Sequence, residues 1–91
     1  MNGKPVFTVT IAQGNAGRRA EVEDFGISVG LSGQNEQEAR AAAIHRLKAL
    51  LRYHCAGLVA RGNMVYVTPR QRELASQVVK YGFELIVPDE A

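Results

Sequence analysis

The apolar residues of this chain change their period once, and that change restricts the fold more than any other feature. From Val6 to Ala12, Phe7, Val9 and Ile11 alternate with Thr8 and Thr10, the period of two that belongs to a half-buried strand. From Ala39 onward, Ala39, Ala43, Ile44, Leu47, Leu50, Leu51, Cys55 and Leu58 recur at the spacing of one helix face. A strand-forming third followed by a long amphipathic helix is the pattern of an α+β domain, in which helices cover a sheet.

The strand-forming third has internal punctuation. Gln13-Gly14-Asn15-Ala16-Gly17 is turn chemistry, because Gly and Asn accept positive φ at low cost. Extended character resumes from Arg18 to Leu31, but its apolar phase moves from even positions (Ala20, Val22) to odd ones (Phe25, Ile27, Val29, Leu31). A strand cannot change face without an extra residue, so a bulge or tight bend is expected near Glu23-Asp24. The segment is then a hairpin or a short three-stranded meander.

Asn35 opens the first helix, with Glu38 three residues on to complete a capping box. Glu36 and Glu38 also suit the positive end of the helix dipole. Gly57 leaves two exits. The helix stops near His54, with Leu58-Val59-Ala60 a short strand, or it runs on to Arg61 and ends at Gly62. The second is the preferred reading. Met64 to Thr68 reads as a strand. Thr68-Pro69-Arg70-Gln71 then supplies a cap, a proline at the first helical position and a second capping box. Leu74, Ala75, Val78 and Tyr81 are the expected inward face of this helix, and Gly82 its end. Phe83 to Val87 is the last strand, stopped by Pro88. The order is ββ(β)αβαβ: a single mixed sheet of four to five strands with two helices packed on it. If the strands at 64–68 and 83–87 are parallel, their crossover is expected to be right-handed.

Ninety-one residues hold one hydrophobic core, so residues 1–91 read as a single domain. A hydrophobic share of 46% is that of a folded chain rather than a disordered one. No apolar run approaches the roughly 20 residues that span a bilayer, and the first five residues lead into strand sequence without the apolar core of a secretion signal. Cys55 is the single cysteine, so an internal disulfide is excluded and a reducing, cytoplasmic setting is expected. No cofactor and no membrane partner are called for.

Chemistry-bearing constellations are few. His45 and His54 lie nine residues apart on one helix and so on opposite sides of it. There is no Cys-x-x-Cys, no His-x-x-x-His and no phosphate loop. Cys55 falls on the apolar stripe and reads as a small core residue, and His54 as a boundary residue. Glu21, Glu23 and Asp24 have no histidine or nucleophile beside them and read as a solvated face. The chain is therefore read as a binding protein rather than an enzyme, with no catalytic and no metal-binding residues.

Charge is the informative property. The formal net charge is only +2, yet residues 40–80 hold eight Lys and Arg against Glu73 alone. Within that stretch two candidate binding surfaces stand out. Arg70 and Arg72 sit in the first turn of the second helix, where the dipole disfavours cations. Two guanidinium groups beside first-turn amides suit a phosphate or carboxylate, unless Glu73, Glu84 or the acidic tail pairs with them. On the first helix His45, Lys48 and Arg52 share the solvent side, with Arg46 flanking and Tyr53 nearby.

From Val6 to about Tyr53, a hairpin, an acidic bend, a strand, a polar turn and then Asn35-Glu36-Gln37-Glu38-Ala39 opening an Ala-rich amphipathic helix resembles the HicB-like antitoxin domain. That resemblance implies a non-enzymatic inhibitor that masks a toxin ribonuclease. The second half departs from it, with a further strand, the Thr68-Pro69 helix and a last strand in place of a DNA-binding tail. The expectation is a small regulatory or inhibitory protein, antitoxin-like or of phage host-modulator type. It would act through contacts with a partner whose surface is acidic. The alternative is a nucleic-acid-binding module that uses the same basic residues. An exposed first or last strand would also allow a homodimer.

Overall fold

The computed structural model describes residues 3–15, 17–32, 35–61 and 67–88. Its elements are strands β1 (Val6–Gly14), β2 (Gly17–Val22) and β3 (Ile27–Gly30), helices α1 (Glu36–Arg61) and α2 (Pro69–Tyr81), and strand β4 (Glu84–Ile86). The strands form one mixed sheet in the order β3-β2-β1-β4. The meander β1-β2-β3 is antiparallel, and β4 returns parallel to β1 with Phe7 beside Leu85. This is the expected α+β class. The strand expected at 64–68 lies outside the described residues for 64–66, while Val67 and Thr68 belong to no strand. The crossover expected for that strand likewise lies outside the described residues.

The change of apolar phase is a four-residue turn at Glu23–Asp24–Phe25–Gly26, closed by the Gly26 N–H on the Glu23 carbonyl at 3.1 Å. Gly26 takes φ +66° there, a conformation a side chain would strain. Antiparallel pairing of Val22 with Ile27 and of Ala20 with Val29 sets even residues beside odd ones. The two sequence phases therefore share one face of the sheet.

That face is the core. Phe7, Val9, Ala20, Val22 and Phe25 lie buried against Ala43, Leu47, Leu51, Cys55 and Leu58 of α1 and Ala75 and Val78 of α2. Phe25 stands edge-on to both Phe7 and His54, at ring-centroid distances of 5.6 Å and 5.5 Å, a favoured aromatic geometry. On the opposite face Val6, Thr8, Thr10, Glu84 and Ile86 are exposed, with no helix packed over them among the described residues. Polar, β-branched Thr8 and Thr10 suit a solvated strand face.

Both helices start as their caps require. The Asn35 side chain accepts from the Gln37 and Glu38 amides at 2.8 Å and 3.2 Å. Thr68 and Gln71 form the reciprocal box at 3.1 Å and 3.2 Å. Helix α1 passes Gly57 without a break and continues to Arg61, because Leu58 still has a buried place one turn beyond Cys55 and helix continuity costs less than burying an unpaired backbone. Helix α2 ends at Gly82, whose N–H returns to the Val78 carbonyl at 2.9 Å. Tyr81, expected to face inward, is 47% exposed. Ala75 and Val78 are buried and Leu74 packs partly on the core, while the helix end at Tyr81 lies beyond it.

Candidate interaction surface

The structure distributes the six sequence-derived site residues over separate places. Arg46 donates to the Gly30 carbonyl at the end of β3. Arg52 lies over the Phe83 ring, 5.4 Å from its centroid. His45 and Lys48 are exposed two turns and one turn before it, respectively. Arg70 approaches Asp24 at 3.9 Å, so the carboxylate it meets is on the β2–β3 turn and not Glu73 or Glu84. Arg72 is exposed, and among the described residues no carboxylate pairs with it.

The first turn of α2 has little left to offer an anion. Pro69 has no N–H, the Gln71 amide is taken by the Thr68 hydroxyl, and the Arg72 amide by the Thr68 carbonyl at 3.1 Å. An open cleft of ≈ 510 Å³ beside it is lined by Val6, Thr8, Thr10, Thr68 and Arg70 together with Glu23 and Asp24. Two carboxylates in that lining oppose a second anion.

A different surface emerges from α1 and α2 together. Tyr53 is 80% exposed and Val79 54%. Between them Ala56 is shared by two hollows. One, of ≈ 480 Å³, is lined by Leu50, Tyr53, His54, Ala56, Gly57, Leu58 and Ala60. The other, of ≈ 330 Å³, lies between the helices and is lined by Arg52, Ala56, Val78, Val79, Gly82 and Phe83. Helix α1 places Arg52 beside this apolar strip and Lys48 one turn away, and contains no acidic residue after Glu38. Exposed aromatic and aliphatic side chains around a small-residue floor, rimmed by cations, form the pattern of a protein-binding face.

Sequence periodicity pointed to the cations of this face and not to its apolar centre. Tyr53, Ala56 and Ala60 fall off the buried stripe, where such residues pass for ordinary helix surface. The available signal was the alanine spacing at 49, 56 and 60 on a helix otherwise rich in Arg and Lys.

Glu36 receives Arg18 (Nη1, 2.7 Å) and Arg40 (Nε, 2.8 Å), and these guanidinium groups, Arg18 first, lower its carboxyl to about pKa 2. Burial pushes the Cys55 thiol up to about 11, which keeps it neutral and inert. Among the described residues no three His, Cys, Asp or Glu converge on a point that could hold a metal ion, and no helix is long and apolar enough to cross a membrane. Comparison of the chain with protein-family models, with characterised proteins and with solved structures finds no match to any of them.

Proposed function

We propose that this chain is a small non-enzymatic regulatory or inhibitory protein, of antitoxin-like or phage host-modulator type, that works in the cytoplasm by docking another protein on its helical layer. The observation that carries this reading is the continuous apolar strip from Tyr53 across Ala56 to Val79, with Arg52 at its edge and Lys48 beyond. The partner it fits has an apolar ridge flanked by Asp or Glu, so that burial supplies affinity and the cations supply orientation and association rate.

His45, Lys48 and Arg52 also favour a second reading, in which the same helix face follows a phosphate backbone. The two differ in salt dependence, because counterion release makes nucleic-acid affinity fall steeply with salt. The test is a pull-down from host lysate with and without nuclease, using the wild-type chain and the variants Tyr53→Ala and Val79→Asp. A protein retained after nuclease and lost with both variants is the expected result. Recovery that disappears with nuclease and withstands both variants would transfer the assignment to nucleic acid.

A further inference from the structure

The two edges of the sheet are treated differently. The Leu31 N–H donates to the Arg18 carbonyl at 2.9 Å. In the antiparallel alternation this turns Val29 and Ile27 toward β2 and leaves Ser28 and Gly30 turned outward. Both outward carbonyls are occupied. Arg19 donates Nη2 to the Ser28 carbonyl at 3.3 Å, and Arg46 donates to that of Gly30. Cationic side chains laid over an edge close it to further strands. Strand β1, one of the two sequence candidates for self-pairing, lies inside the sheet between β2 and β4.

The β4 edge has no such cover among the described residues. The Glu84 N–H donates to the Pro5 carbonyl at 3.0 Å, so Glu84 and Ile86 turn toward β1 and the Leu85 N–H and C=O face outward. By the same alternation the backbone groups of 83 and 87 flank it. Among the described residues, three of the seven large exposed apolar side chains, Val6 (52%), Ile86 (50%) and Val87 (37%), gather at or beside this edge. Its one charged strand residue, Glu84, is met by Lys4 at 3.6 Å. In a molecule whose middle third is basic, the charges at this edge balance among the described residues.

We propose that the chain dimerises through β4, a second copy adding its own β4 antiparallel so that the two Leu85 residues face each other across a two-fold axis. The edge is complementary to itself in that register. The two Leu85 residues exchange both backbone hydrogen bonds, Phe83 lies opposite Val87 of the second copy, and Ile86 opposite its Glu84, whose charge Lys4 already balances. The product is a continuous eight-stranded sheet with the helical layers on one side. A partner rich in acidic residues is drawn to the cationic helical face instead, so a second copy is the occupant that this neutral edge selects.

The test combines sedimentation equilibrium with amide exchange on the purified chain from micromolar to millimolar concentration. Dimer formation is expected, and exchange of the Leu85 amide should slow with it, about tenfold where dimer outnumbers monomer ten to one. Ile86→Glu, which would set a carboxylate opposite Glu84 of the second copy, and, separately, Val87→Lys alter exposed side chains. Each should return the protein to monomer with its circular dichroism unchanged, while Tyr53→Ala leaves the dimer intact. A chain that stays monomeric throughout overturns the proposal. So does a dimer in which Leu85 exchange is independent of concentration, or one that Tyr53→Ala dissolves and the two edge variants do not.

Discussion

The side-chain amide of Gln71 donates to the backbone carbonyl of Asp24 at 3.1 Å, across 47 residues of sequence. The same side chain accepts from the Thr68 N–H, so one residue both caps α2 and fastens its first turn to the β2–β3 turn. This contact sets where α2 begins relative to the sheet.

Gln71→Ala removes both contacts and should lower stability by about 1–2 kcal/mol in urea unfolding. Gln71→Glu keeps the acceptor for Thr68 but has no donor for Asp24. A Gln71→Glu protein as stable as wild type would show that the long-range contact contributes nothing.

Stability should fall between pH 4.5 and about 2 because of Glu36. Its folded pKa, about 2, is below its ordinary value of 4.5. The unfolded chain therefore takes up a proton first as pH falls, and the stabilisation present above 4.5 is lost toward 2. Glu36→Gln should flatten that part of the pH–stability curve. Raising the salt concentration should flatten it too, since the Arg18 and Arg40 partners are near the surface.

Cys55 should not react with a thiol reagent at neutral pH until the protein unfolds. It is fully buried and its thiol is pushed up to about 11. Labelling rates measured against urea should follow global unfolding. Rapid labelling in the absence of denaturant would mean that α1 opens locally at this turn.

A Cβ built on Gly57 meets nothing within 4 Å, and the residue lies mid-helix. Gly57→Ala should accordingly raise stability by about 0.5–1 kcal/mol. Gly57 also lines the hollow beneath Tyr53, so the same methyl should weaken capture of the protein partner. Thermal unfolding and pull-down together would show both effects.

Leu51 and Tyr53 separate folding from binding. Leu51 is fully buried and Tyr53 is 80% exposed. Leu51→Ala should cost about 2–5 kcal/mol through the cavity it leaves, whereas Tyr53→Ala should stay within about 0.5 kcal/mol of wild type. Equal losses for the two would place Tyr53 in the core and remove it from the docking face.

The sequence by itself determined the elements. A period of two from Val6, a helical period from Ala39, the Asn35 cap and the Thr68–Gln71 box each depend on neighbours a few residues away, and each is present. Local chemistry also placed the bend at Glu23-Asp24, because a strand's facing is fixed by parity. Two outcomes needed the tertiary structure. Gly57 left two exits open for α1, and the burial of Cys55 and Leu58 against the rest of the core decided for the preferred one, at Arg61. Tyr81 has the right helical phase to face inward, yet the core does not reach it. The functional surfaces depend on tertiary structure for the same reason. Arg70 meets Asp24, Arg46 closes the β3 edge, and Tyr53, Ala56 and Val79 become one strip only when α1 and α2 pack side by side. Charge and hydropathy along a chain report which residues are able to interact. Packing between distant segments decides which of them remain exposed together.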